Sequence, residues 1–468
     1  MKLGLISLGC DKNTVDSERI LSVLAQHGAE HTRDLDAADI VLVNTCGFID
    51  AAKEESIEML LDMSRLKQEG RCQALVAVGC LVEQYREELE SALPEVDLFV
   101  GLRDMDRLIP ELQSRGLLGE PDPVHPGDRT LLGDLRHVRY LKVSEGCSHG
   151  CAFCAIPLWR GRHRSFEVDQ LVAEAQRLEA QGAVELSLVA QDLAHFGRDL
   201  SPRADITGLL ERLLAETTIP WFRLLYIYSA GVREELVRLV ATEERILPYL
   251  DMPIQHASDP VLERMRRPER RESLLSKFRM LRTSIPDVTL RTTVMVGFPG
   301  ETNDDFRALL DFMEQVEFDR LGAFAFSPQE RTAAADMEQI YVPSDVAQER
   351  LAELLELQRA ISADRLEREV GMVRQVLVKT AGPEATGRTA GQADDVDGIT
   401  RLHGEAALTP GSIMQARITE ADDFDLDADV LGEIRPAPAR GQVSRSAPER
   451  PRRALPVVPI GLEGAWGR

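Results

Sequence analysis

The stretch Gly146-Cys147-Ser148-His149-Gly150-Cys151-Ala152-Phe153-Cys154 sets three cysteines at C-x3-C-x2-C spacing, directly after an apolar segment, Tyr140 to Val143. Three thiolates hold three corners of a cubane iron–sulfur cluster, whose full set would be four. The missing fourth ligand leaves one iron free to bind something else, as an open position does in any catalytic metal site. Phe153 places an aromatic ring just before the last thiol. The alternative is a structural zinc site built from these cysteines and His149. Zinc sites usually split into two separated ligand pairs, and three cysteines inside eight residues do not.

A second set lies upstream. Cys10 follows the apolar run Leu3 to Leu8, Cys46 follows Ile40 to Val43, and Cys80 follows Ala74 to Val78. Each adjoins a glycine, which lets backbone approach a bulky group. A single buried cysteine after a strand is usually a small hydrophobe; three at equivalent places point to a shared site. Cys72 precedes its strand and is read as a bystander. Two three-cysteine sets predict two clusters, each with an open iron.

The elements that must position these thiols alternate strand and helix over residues 1–118. Strands are expected at the three runs above and at Leu98 to Val100, with helices at Ser17 to His27, Ala51 to Met63 and Gln84 to Leu93. Such alternation predicts an open parallel α/β sheet, and ligands of such sheets bind beyond the carboxyl ends of the strands. A Pro- and Gly-containing linker is expected at 119–133. Residues 134–368 carry six strand–helix units, beginning at Tyr140, Glu185, Phe222, Tyr249, Thr289 and Arg320, which predicts a partial (β/α) barrel. Residues 369–434 predict a small OB-like β-barrel, with strands at Val373 to Val378, Ile399 to Leu402, Ile413 to Ile418 and Val430 to Ile434. Residues 435–468 are Pro- and Arg-rich and are expected to be disordered.

Polar groups follow several of the central strands. They are Gln191, then Gln255 and His256, then the turn Gly297-Phe298-Pro299-Gly300-Glu301-Thr302. A Gly-Phe-Pro-Gly sequence alone is more often only a turn, and a lone histidine more often structural. Their place at the expected barrel mouth makes them candidates.

The net charge of −23 argues against tight non-specific nucleic-acid binding and suits a basic protein partner. Between Glu369 and Glu433 the sequence holds 13 acidic and 5 basic residues, so an acidic surface around Asp422, Asp423, Asp425 and Asp427 is expected to dock that partner. No apolar run is long enough to span a membrane, and the N-terminus is too short in its apolar part for a signal peptide. Seven cysteines in such a chain argue for metal rather than disulfides, and a cytoplasmic location is the default expectation.

Together these residues resemble the radical S-adenosylmethionine (SAM) methylthiotransferases. The likeness spans residues 1–434 and rests on Cys10, Cys46 and Cys80, the Cys147–Cys154 loop, the Gly297–Thr302 turn and a TRAM-like barrel. It is strongest toward the RimO-type branch, which modifies an aspartate of small-subunit ribosomal protein S-twelve. Gly9 to Glu18, Arg160 to Ser165 and Ala393 to Gly398 carry that part. Asp11 stands where the family usually has proline, and Phe166 where it usually has a basic residue. The resemblance implies two 4Fe-4S clusters and SAM, with SAM on the open iron of the Cys147/Cys151/Cys154 cluster and a sulfur carried at Cys10/Cys46/Cys80. A radical would take a hydrogen from the aspartate β-carbon, and a methylthio group would couple there. It also implies an external electron donor, and cofactor or substrate contacts from Phe153, Gln191, Gln255, His256 and Gly297. A tRNA methylthiotransferase on the same scaffold, or a non-catalytic iron–sulfur or zinc scaffold, are the alternatives. Direct RNA contact is left open.

Overall fold

The computed structural model describes residues 1–121, 129, 132, 137–404 and 407–438. Most of the expected linker, and the Arg-rich tail from 439 onward, lie outside the described residues.

The N-terminal part runs β1 (Lys2–Ser7), α1 (Asp11–Gln26), β2 (Glu30–Thr32), β3 (Ile40–Thr45), α2 (Asp50–Glu69), β4 (Ala74–Gly79), α3 (Cys80–Ala92), β5 (Leu98–Gly101) and α4 (Leu108–Ser114). The strands form one parallel sheet of order β2-β1-β3-β4-β5. Every residue of β3 and β4 is buried, as in parallel strands covered on both faces. The short edge strand β2 was not expected, because Glu-His-Thr carries no apolar pattern. Helix α1 starts at Asp11, not Ser17: its first turn buries polar Lys12 and Asn13, which break the apolar periodicity. Helix α3 starts at Cys80, not Gln84, and a non-helical Tyr85 (φ −125°) separates its first turn from the rest.

The central part contains β6 (Val138–Lys142), β7 (Ser144–Glu145), α5 (Ile156–Trp159), β8 (Arg164–Ser165), α6 (Val168–Ala180), β9 (Glu185–Val189), α7 (Ile206–Glu216), β10 (Trp221–Leu224), α8 (Glu234–Thr242), β11 (Ile246–Asp251), α9 (Asp259–Arg264), α10 (Arg271–Ser284), β12 (Thr289–Val296), α11 (Asn303–Val316), β13 (Arg320–Ala325) and α12 (Ser344–Glu367). Six strands form an open parallel sheet of order β13-β12-β11-β10-β9-β6, the partial barrel. One face packs against the helices through Leu186, Leu209, Phe222, Leu250, Phe278 and Phe312. The other face, with Val138, Trp221, Leu247 and Tyr249, packs against Leu377, Ala393 and Ile413 of the C-terminal part.

That C-terminal part is a closed barrel of β14 (Val373–Val378), β15 (Thr386–Thr389), β16 (Thr400–His403), β17 (Ile413–Ala421) and β18 (Leu426–Arg435), in the order β14-β15-β16-β18-β17. Strand β15 was not expected; Thr-Gly-Arg-Thr reads as a turn until neighbours supply its pairing. Most of the acidic run continues β17 and opens β18, and part of its charge is paired with arginine at the surface. Arg401 is 3.4, 2.7 and 3.1 Å from Asp422, Asp425 and Asp427, and Arg359 is 3.0 Å from Asp423. Among the described residues no helix is long and apolar enough to cross a membrane.

Candidate active site

Strands β1, β3 and β4 are adjacent, and Cys10, Cys46 and Cys80 stand directly beyond their carboxyl ends. Ser56 pins Cys46, accepting from its N–H at 3.0 Å and donating to its carbonyl at 2.9 Å. Gly9 has φ 88°, and a Cβ there would sit 2.9 Å from Cys46 Sγ; only glycine lets the two loops meet this closely. Burial pushes the Cys46 thiol up to about 11, and Cys10 adds to it. Burial pushes Cys80 up to about 12, Arg160 opposing and Cys10 and Cys46 adding. Cys46 and Cys80, held up in this way, need a shared cation to become thiolates, and with Cys10 beside them the donor set fits an iron cluster. Cys72 sits at the opposite end of β4, its Sγ donating to the Ala74 carbonyl at 3.3 Å.

The second set sits beyond β6. The β7–β8 pair brings residues 160–162 back under the loop, where Cys147 N–H donates to the Gly161 carbonyl at 3.1 Å. Ala152 is held at both ends, by Met265 O (2.9 Å) and by Ala334 N–H (2.8 Å). Burial pushes Cys147 up to about 11 and Cys154 to about 12, and the neighbouring thiols add in each case. Burial raises Cys151 as well. The imidazole of His149 is committed elsewhere: Nε2 is 2.8 Å from Asp192 Oδ2, and the ring stacks on Tyr228 with centroids 4.2 Å apart. Asp192 also accepts from Ala194 N–H (2.8 Å) and Tyr228 N–H (3.1 Å), so this is a brace for the loop.

Arg160 ties the segment after the loop to the N-terminal set. It leaves the loop just after α5 and is buried against the N-terminal sheet. Its guanidinium donates to Asn13 Oδ1 (2.5 Å), Asp16 (3.1 Å), Glu145 (3.0 Å) and Cys80 Sγ (3.6 Å). Lys142 pairs with Asp16 as well and with Glu145 at 2.6 Å. Burial alone would raise the Glu145 carboxyl; Lys142 and Arg160 overcome it and hold the group below its ordinary range. Sequence reasoning had Arg160 within a motif but assigned it no role, since its partners are far away in the chain.

The family models match in the same three parts. "Uncharacterized protein family UPF0004" covers residues 2–101, the Radical SAM superfamily 141–313, and the TRAM domain 370–431. The ribosomal protein uS12 methylthiotransferase RimO of Trichlorobacter lovleyi is 43% identical over 448 residues, 92% of this chain and 98% of the relative. The protein of the same name from an Anaeromyxobacter species is 43% identical over 464 residues, 97% of this chain and 98% of the relative. The chain belongs to the RimO family of methylthiotransferases. Among solved structures, the radical SAM methyltransferase TsrM of Kitasatospora setae shares the fold, with TM-score 0.52 and 14% identity over 69% of this chain and 71% of that one.

In this RimO-family chain the remaining candidates divide. Phe153 packs edge-on to Phe298, 6.4 Å between centroids, and so supports the loop from below. Gln191 reaches Glu145 at 3.5 Å, and its Oε1 is buried without a partner. Gln255 holds φ 70°, bridges to β12 by its backbone, and likewise has an unpartnered buried Oε1. Two orphaned amide oxygens beside the site are groups that a bound cofactor or substrate would satisfy. His256 is wholly buried; Nδ1 accepts from Ser258 N–H at 2.9 Å and Nε2 faces Glu301 at 3.6 Å, which ties the loop after β11 to the glycine turn. Gly297 has φ 72° and packs on α12, where a Cβ would come within 2.5 Å of the Ala347 Cβ. Sequence reasoning missed Lys12 and Tyr226. Lys12 is buried, and its Nζ lies 3.1 Å from the Tyr226 ring centroid.

Proposed function

We propose that the chain is a radical SAM methylthiotransferase that adds a methylthio group to the β-carbon of an aspartate of ribosomal protein uS12. The observation that carries this reading is the pair of three-thiol sets, one on each parallel sheet, with Arg160, next to the Gly161 that holds the Cys147 N–H, donating to Cys80 Sγ. Cys147, Cys151 and Cys154 would hold one 4Fe-4S cluster, and Cys10, Cys46 and Cys80 a second. When bound, the clusters and SAM supply a radical able to break an unactivated C–H bond and the methylthio group that replaces the hydrogen.

The chain's own residues hold and shield these groups. His149 and Asp192 fix the loop, Arg160 and Lys142 neutralise Asp16 and Glu145, and the C-terminal barrel covers one face of the central sheet. Gln191 and Gln255 are proposed as contacts to SAM or substrate, Phe153 and Gly297 as supports of that site, and His256 as its internal strut. The functional division runs at 1–118, 134–368 and 369–434. Electrons would come from an external donor, in the cytoplasm. The tRNA-directed reading is not favoured, because the full-length relatives carry the uS12 name. Mass spectrometry of uS12 and of tRNA from cells with and without this chain tests the reading. A mass gain of one methylthio group on a uS12 aspartate supports it, and a gain confined to tRNA overturns it.

A further inference from the structure

Lys12 is a buried cation without an acceptor. It lies in the first turn of α1, two residues after Cys10, and is 8% exposed. Among the described residues it has no ion pair and no side-chain hydrogen bond; its ammonium meets only the face of Tyr226, 3.1 Å from the centroid. The groups around it are already engaged. Arg160 is taken by Asn13, Asp16 and Glu145, Arg291 by Asp251 at 2.9 Å and Asp397 at 3.8 Å, and Asp11 receives the Tyr226 hydroxyl at 3.4 Å. A ring face replaces only part of the hydration an ammonium loses on burial. Tyr226 is itself constrained: it holds φ 64°, which a bulky residue adopts only when its surroundings impose it, and its N–H is fixed by Asp251 Oδ2 at 3.1 Å. The fold thus sets a ring beneath the amine and leaves the amine's donors free, at the seam between the N-terminal sheet edge and the mouth of the central barrel.

We propose that Lys12 binds the side-chain carboxylate of the substrate aspartate. This rests on the uS12 reading above. The β-carbon to be modified is one bond from that carboxylate carbon, so an ammonium beside Cys10 that grips the carboxylate orients the reacting carbon toward the Cys10/Cys46/Cys80 set. SAM also carries a carboxylate. Lys12 lies in the first turn of α1, two residues after Cys10, and not in the Cys147–Cys154 loop that would hold SAM, which favours the substrate as the source.

The test is a pair of binding cycles on the anaerobically reconstituted full chain, wild type and Lys12→Met, with Lys12→Gln as the second variant should the first fail to fold. One cycle compares uS12 with uS12 whose target aspartate is changed to asparagine; the other compares SAM with decarboxylated SAM. For wild type, the asparagine form should bind roughly ten- to hundredfold more weakly, the worth of a charge-assisted hydrogen bond. In Lys12→Met that difference should vanish, while the preference for SAM over its decarboxylated form persists; Lys12→Arg should restore most of the first difference. Equal asparagine penalties in wild type and variant overturn the proposal. Loss of the SAM preference instead assigns the amine to SAM and also overturns it. If wild type binds no uS12, the substrate reading itself falls, and this clamp with it.

Discussion

Arg160 reaches the N-terminal thiol set with its donors spread over an amide, two carboxylates and a sulfur. Hydrogen bonds to cluster sulfurs raise a cluster's potential. Arg160→Met should therefore move the potential of the N-terminal cluster to more negative values in an EPR-monitored redox titration. It should also cost about 3 kcal/mol of stability, because Asp16 and Glu145 lose a buried partner. The thiols give a second prediction. Reconstitution should yield about eight iron per chain, four per cubane. Either triple Cys→Ala variant should bind about half of that. Only the Cys147/Cys151/Cys154 variant should lose 5′-deoxyadenosine formation, and full iron in either would sink the assignment. Cys72→Ala should keep full iron. The thiols were legible in the sequence because their spacing and their recurrence after strands are local signals. Arg160 and Lys12 were not, because what makes them matter is a partner, or the lack of one, supplied by distant chain.

At the scale of elements, strands Glu185–Val189 and Arg320–Ala325 begin where expected and Val373–Val378 matches its expected bounds, each read from its apolar and β-branched residues. The failures share one cause: where a segment serves the site or is stabilised by pairing, its own pattern is weak. The first turn of α1 turns Lys12 and Asn13 inward, and β15 has only Thr-Gly-Arg-Thr. The glycine turn after β12 shows how an element end is positioned. Gly297→Ala would place a methyl 2.5 Å from Ala347 Cβ at a positive φ. It should push α12 away and cost about 1–3 kcal/mol, seen as a lower melting temperature with unchanged secondary structure.

Across the whole molecule, the central sheet is sealed to the C-terminal barrel by a buried triad. Glu185, with no exposure, is 2.6 Å from Arg223 and 2.8 Å from Arg388 of β15. Burial would raise the Glu185 carboxyl, yet the two guanidiniums hold it at about 2, against an ordinary 4.5. A depressed carboxylate gives its stability in full above the ordinary value and loses it as pH falls toward the depressed one. Barrel docking should thus be insensitive to pH from neutrality to about 4.5 and weaken from there toward about 2, with about 3 kcal/mol at stake. Melting of the metal-free protein across that range checks it, and Glu185→Gln should remove the acid dependence while lowering stability throughout. The overall charge was legible from composition, but its distribution was not. Arg401 and Arg359 pair with carboxylates that a count along the chain treats as unpaired.

The two thiol sets also differ in how much chain must be in order before they exist. Cys147, Cys151 and Cys154 share one short loop, whereas Cys10, Cys46 and Cys80 meet only once β1, β3 and β4 have aligned. Ligands close in sequence assemble early and at little entropic cost; those brought together by parallel strands assemble late. Iron supplied during refolding should load in two phases, the loop first, and in Cys10/Cys46/Cys80→Ala protein only the fast phase should remain.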